Sequence, residues 1–186
     1  DIKASKLNQK YMCGIFGYKG EEQASQLIHK GLKKLEYRGY DSSGIAVVSN
    51  PSVKLEKKEG RVEELEPEFE GRTGIGHTRW ATHGGINDKN AHPHTDDEGK
   101  IAVVHNGIIE NHRELKEEIG EHKVESETDT EVIPHLLEKH LERHDMKTAV
   151  EKTIEKLEGS YAVTAVLEYG EMIAFRQDSP LVIGLK

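Results

Sequence analysis

The chain has a single cysteine, no long apolar run and fewer basic than acidic residues, and each shortage closes off a class of protein. With only Cys13 there is no internal disulfide, which suits a reducing compartment. No stretch approaches the roughly 18 apolar residues needed to span a membrane. No secretory signal peptide is visible, so the default expectation is a cytoplasmic location. Lys and Arg number 26 against 34 Asp and Glu, a net charge of −8, and no basic stripe marks a nucleic-acid footprint. Internal repeats and low-complexity linkers are also missing.

What remains is a patterned, water-compatible chain of 186 residues, 34% hydrophobic and 32% charged, large enough for one domain with a sizeable core. Residues 12–18 read as a short strand. Ala24, Leu27, Ile28, Gly31, Leu32 and Leu35 then recur at helical spacing, and that helix is expected to end near Arg38-Gly39. Strands are expected at 44–49, 73–82 and 101–105, and the charge-rich stretch 54–70 reads as a solvated strand and loop. A short helix is expected over 111–119. Thr128 with Glu131 suggests a capping box ahead of a helix whose apolar stripe is Ile133, Leu136, Leu137, His140 and Leu141. Pro134 is tolerable only in its first turn. Residues 146–157 form a third helical pattern, and 161–168 with 171–176 read as a hairpin closed at Tyr169-Gly170. Helices grouped beside runs of strands indicate α+β.

Cys13 sits in Met12-Cys13-Gly14-Ile15-Phe16-Gly17. If the methionine is an initiator that is removed, the thiol and a free α-amine belong to one residue, and nucleophile and base come already paired. A thiol of ordinary pKa is only about 3% thiolate at pH 7, whereas an ordinary α-amine is roughly one-sixth neutral and can accept the proton. An internal amide nitrogen cannot. Residues 1–11 precede that methionine and read as a leader or an added extension outside the fold.

Four polar clusters accompany the cysteine: Tyr37-Arg38-Gly39-Tyr40-Asp41-Ser42; His77-Thr78-Arg79-Trp80-Ala81-Thr82-His83-Gly84; Val103-Val104-His105-Asn106-Gly107-Ile108-Ile109-Glu110-Asn111-His112, with an Asn-Gly turn expected at the end of an apolar strand; and Ser126-Glu127-Thr128-Asp129-Thr130-Glu131. With Met-Cys-Gly-Ile, and in this order, they resemble the amino-terminal glutaminase domain of the glucosamine-6-phosphate synthase (glutamine:fructose-6-phosphate amidotransferase) family. The resemblance runs from Met12 to Lys186. It implies a four-layer αββα sandwich of the N-terminal-nucleophile type. It also implies hydrolysis of L-glutamine to glutamate and ammonia through a γ-glutamyl thioester, without a cofactor.

Position by position, the resemblance makes Cys13 the nucleophile, and Asn106 with Gly107 the oxyanion hole. It makes Arg79 the group binding the glutamine α-carboxylate and Asp129 the acceptor for its α-ammonium. Thr82 and His83 are adjoining contacts, Arg38 orders the loop beside Cys13, and Trp80 gates an ammonia tunnel. Some also have a plainer role available: a small buried hydrophobe for Cys13, an ordinary turn for Asn106-Gly107, a helix-terminal cap for Asp129, packing for Arg38 and core packing for Trp80. His92 and His94 around Pro93 lack partners at ligand spacing, so no metal is expected there. In a complete synthase the ammonia would pass to a sugar-isomerase half that binds fructose 6-phosphate. That half is not in these residues, and the apolar ending Leu181-Val182-Ile183 suggests a domain cut from a longer protein. Two other readings remain: the glutaminase domain of an amidotransferase making phosphoribosylamine or asparagine, and a silent glutamine-binding form if the leader is retained. A papain-like protease fits poorly, because nothing around Cys13 resembles that signature.

Overall fold

A computed structural model describes residues 13–81, 84–120 and 122–185. The alternating stretches become strands of two antiparallel sheets. The first holds β1 (Gly14–Lys19), β2 (Ser42–Ser49), β3 (Ser52–Glu59) and β4 (Thr73–Arg79) in the order β1-β4-β2-β3. The second holds β5 (His94–Thr95), β6 (Ile101–Ile109), β7 (Gly159–Leu167) and β8 (Met172–Gln177) in sequence order.

Successive side chains of a strand point to opposite faces, and here both faces are covered. On β2, Ile45 and Val47 meet Ala24, Ile28 and Leu32 of α1 (Ala24–Leu35), while Ala46 and Val48 point the other way. Those two, with Ile75, pack on Ala102, Val104 and Val166 of the second sheet. The outer face of that sheet, through Val103, Tyr161 and Val163, is covered by helices. They are α2 (His112–Ile119), α3 (Val132–Leu141) and α4 (Met146–Lys156), which contribute Leu115, Leu136, Leu137 and Ala149. The layers run helix, sheet, sheet, helix, the αββα sandwich that the resemblance implies. Full burial of a side chain such as Ile28 or Leu136 contributes about 1.5–3 kcal/mol, so each helix is held by its apolar stripe rather than by propensity.

Two local expectations fail. The turn expected at Asn106-Gly107 is absent: β6 continues through both residues to Ile109, and Gly107 pairs with Tyr161. Gly107 has φ 127°, and a Cβ there would stand 2.0 Å from the Ser160 carbonyl oxygen, so the glycine lets the neighbouring strand approach rather than reversing the chain. The capping box does not form either. α3 begins four residues beyond Thr128, and the Glu131 carboxylate turns back to accept the Glu125 and Ser126 N–H groups at 3.0 and 2.6 Å. Pro134 falls in the first turn of α3, where its missing N–H costs nothing. Asp145 caps α4 by accepting the Thr148 N–H at 3.0 Å. No helix among the described residues is long and apolar enough to cross a membrane.

Candidate active site

The four polar clusters, far apart in sequence, meet at the start of β1. Cys13 is half-buried there, and its Sγ accepts the Trp80 N–H at 3.2 Å. Its carbonyl oxygen accepts from Asn106 Nδ2 at 2.9 Å and from Arg38 Nε at 3.2 Å. Arg38, at the end of a 3-10 turn following α1, is tied by that bond to the backbone of the cysteine. Burial pushes the thiol above its ordinary pKa, while the Trp80 N–H and the Arg79 guanidinium pull the other way.

Arg79 ends β4. Its side chain is buried and Nη1 donates to the Gly85 carbonyl oxygen at 3.1 Å. The chain from 39 to 41 lies directly on its backbone. The Asp41 N–H donates to the Arg79 carbonyl oxygen at 3.0 Å, and the Asp41 carboxylate accepts the Ala81 N–H at 2.9 Å. A Cβ on Gly39 would come within 2.7 Å of the Arg79 carbonyl carbon and the Trp80 nitrogen, so only glycine permits that approach. The Trp80 ring meets Tyr40 edge-on at 5.8 Å between centroids, and the Arg61 guanidinium covers Tyr40 at 5.6 Å. Thr82 and His83, also expected at the site, lie outside the described residues.

Asp129 does not cap α3. Its Oδ2 accepts the Ile109 N–H at 2.7 Å, which ties the approach to α3 onto the end of β6. Glu127 ties the same segment to the loop after β4 by accepting from the Gly85 N–H at 3.0 Å and Asn90 Nδ2 at 2.9 Å, and Asn90 Oδ1 accepts the Glu127 N–H in return. The result is a small cleft lined by Cys13, Arg79, Trp80, His92, His105, Gly107, Thr128, Asp129 and Thr130. A second hollow also reaches Cys13 and is lined by Leu35, Arg38, Asn106 and Val182. Gly107 lines the first hollow and Asn106 the second, and Cys13 is common to both.

Sequence reasoning missed the layer behind this cleft. His77 Nε2 lies 3.0 Å from the His105 carbonyl oxygen and 3.2 Å from Asn106 Oδ1. Two acceptors at one nitrogen require a proton there, so His77 orients the Asn106 amide with Nδ2 toward Cys13. The His77 ring stacks on His92 at 4.2 Å, and His92 meets His94 at 4.6 Å. The Thr130 hydroxyl bridges His92 Nε2 at 2.8 Å and His105 Nδ1 at 2.9 Å, and Thr128 Oγ1 lies 3.1 Å from His94 Nε2. Burial drives the His77 pKa down to about 3 and lowers those of His92, His94 and His105, so all four rings are neutral at pH 7. The only sequence signal is the place of His77 and His105 in stretches that read as strands; His92 and His94 lie in a polar segment that carries none.

A model of the glutamine amidotransferase domain matches residues 77–184. The chain belongs to the glutamine amidotransferase domain family. It is 51% identical over 183 residues to the glutamine–fructose-6-phosphate aminotransferase (isomerizing) of Aquifex aeolicus strain VF5, covering 94% of this chain and 31% of that protein. The enzyme of the same name from Clostridium tetani strain Massachusetts / E88 is 49% identical over 183 residues, covering 94% and 30%. Among solved structures, glutamine phosphoribosylpyrophosphate amidotransferase from B. subtilis, complexed with ADP and GMP, aligns with a TM-score of 0.73 at 28% identity. That alignment covers 87% of this chain and 36% of that one. The amidotransferase domain described here therefore spans about a third of the length of the relatives it matches.

Proposed function

We propose that this amidotransferase domain hydrolyses L-glutamine to glutamate and ammonia, with Cys13 as nucleophile once Cys13 is the amino-terminal residue. The observation that carries the reading is the convergence of one thiol, one buried guanidinium and one carboxylate on a single small cleft. Arg79 offers a planar fork to the α-carboxylate of glutamine, and Asp129 an acceptor to its α-ammonium. Thr82 and His83 are proposed as the neighbouring contacts.

The α-amine of Cys13 takes the thiol proton, and the thiolate attacks the side-chain carboxamide carbon. The carbonyl oxygen becomes an oxyanion, held by the Gly107 N–H and by Asn106, whose amide has a second N–H besides the one given to the Cys13 carbonyl. As the carbon–nitrogen bond breaks, the protonated amine returns its proton to the leaving nitrogen and ammonia departs. Water then opens the γ-glutamyl thioester with the same amine as base, releasing glutamate. Trp80, beside the sulfur, is proposed to govern where the ammonia goes.

Identity near 50% to enzymes named for fructose 6-phosphate, against 28% to the phosphoribosylpyrophosphate enzyme, supports the amino-sugar branch. In a full-length protein a sugar-isomerase half binding fructose 6-phosphate would receive the ammonia and make glucosamine 6-phosphate, in the cytoplasm. The domain alone is expected to release free ammonia. An electrophilic glutamine analogue tests the reading: it should label Cys13 stoichiometrically, excess glutamine should protect it, and Cys13→Ala should abolish glutamate release without changing the circular dichroism. Labelling elsewhere, or glutamate release by Cys13→Ala, would remove Cys13 from the mechanism.

A further inference from the structure

A second constellation of ligand-capable side chains lies away from the cleft, assembled from three segments. Asp97 belongs to the turn between β5 and β6, His122 to the segment between α2 and α3, and His135 with Glu138 to one face of α3 at i, i+3 spacing. His122 Nδ1 stands 2.9 Å from Asp97 Oδ2 and 3.4 Å from Glu138 Oε2. His135 Nδ1 stands 3.6 Å from Asp97 Oδ1 and 3.8 Å from Glu138 Oε2. One ligand atom from each of the four lies within 4.8 Å of the others. Donors placed ~2.0–2.1 Å from a tetrahedral centre sit roughly 3.3–3.4 Å apart, and the measured separations bracket that value.

A second observation is independent of these distances. His135 is 1% exposed, yet neither of its ring nitrogens has a hydrogen-bond partner among the described residues, and Glu138 Oε2 is likewise buried without one. Buried polar atoms are nearly always satisfied, and an orphaned imidazole beside an orphaned carboxylate oxygen is the pattern left by a bound ion.

We propose that Asp97, His122, His135 and Glu138 bind one four-coordinate divalent metal ion of the zinc type. Two imidazoles and two carboxylates without a thiolate suit zinc rather than copper(I) or an iron–sulfur cluster. Four protein donors leave no open position, so the role is structural: the ion ties the turn after β5 and the segment before α3 to α3 itself. The site is independent of the chemistry at Cys13.

Untagged chain stripped with chelator and titrated with Co²⁺ provides the test. One Co²⁺ per chain should bind, with the intense visible absorption of tetrahedral coordination, and Zn²⁺ should displace it and raise the melting temperature. Asp97→Asn and Glu138→Gln should each weaken Co²⁺ binding by about 100-fold or more, since even indirect partners of a ligand cost 10–100-fold. His144→Ala, an exposed control, should bind unchanged, and glutaminase rates of the two carboxylate variants should match the parent. No Co²⁺ uptake by the parent chain, a weak octahedral spectrum, or undiminished uptake by both carboxylate variants would overturn the proposal. In that event the four side chains form only an ion-pair network around His122.

Discussion

The Cys13 sulfur takes the Trp80 N–H and lies near the Arg79 guanidinium, yet burial still holds its thiol above the ordinary range. A free α-amine on the same residue resolves this conflict, because it removes the proton without a buried base having to be supplied from elsewhere. At Arg79 the role proposed is binding, so the consequence of removing it is specific. Losing a charge-assisted pair costs about 1.5–3 kcal/mol, or roughly 10–100-fold. Arg79→Ala should therefore raise KM for glutamine by about that factor while kcat changes only a few-fold, and Arg79→Lys should recover part of the loss. Steady-state glutamate release measures both. An unchanged KM in Arg79→Ala would remove the carboxylate assignment. The positions Cys13, Arg38, Arg79 and Asp129 were legible in sequence because their motifs carry the resemblance. The histidine layer behind them was not, because nothing in single-residue chemistry distinguishes a buried neutral histidine from a ligand or a surface one.

Among the elements, the helices were the most legible. The stripe Ala24, Ile28, Leu32 became the buried face of α1, and the paired stretches around Tyr169-Gly170 became β7 and β8. The segment before α3 was misread as a capping box because Thr128 and Glu131 have the right spacing, while the contacts that claim them, His94 and residues 125–126, come from elsewhere in the chain or fold back locally. That segment bonds to His92, His94 and His105, with His77 stacked behind His92, which gives it a pH dependence. Their folded-state pKa values lie below the ordinary value near 6.5, with His77 at about 3, so the unfolded chain binds more protons once the pH falls below that value. Stability is complete above the unfolded pKa and declines as the pH falls toward the folded ones. Each fully linked histidine contributes about 1.4 kcal/mol per pH unit. Urea unfolding between pH 7 and 5.5, above most carboxylate titrations, should show a falling midpoint, and His92→Gln should remove about one proton from the slope. A midpoint flat across that window would mean that the rings titrate in the folded protein as they do in the unfolded chain, and so are not held neutral by burial.

For the molecule as a whole, fold class followed from grouping helices beside strands, but the pairing of two sheets face to face was implied only by the resemblance. The unbroken apolar run Ile45-Ala46-Val47-Val48 fits a strand buried on both sides without saying what lies on each. Cys13 opens β1, Arg79 ends β4, Asn106 lies within β6 and Asp129 precedes α3, so the sandwich brings both sheets and one helix start to a single point. The same assembly gathers Asp97, His122, His135 and Glu138 from segments too widely spaced to suggest ligands in sequence. The central claim concerns the front of this chain: turnover requires Cys13 to carry an unblocked amine. Glutaminase rates should be compared between protein whose amino-terminal residue is verified by intact mass as Cys13 and protein that keeps residues 1–12. The terminal form should be faster by about 10²–10⁴, the usual contribution of a positioned base. Equal rates, with the extension demonstrably intact at the end of the assay, would contradict the account.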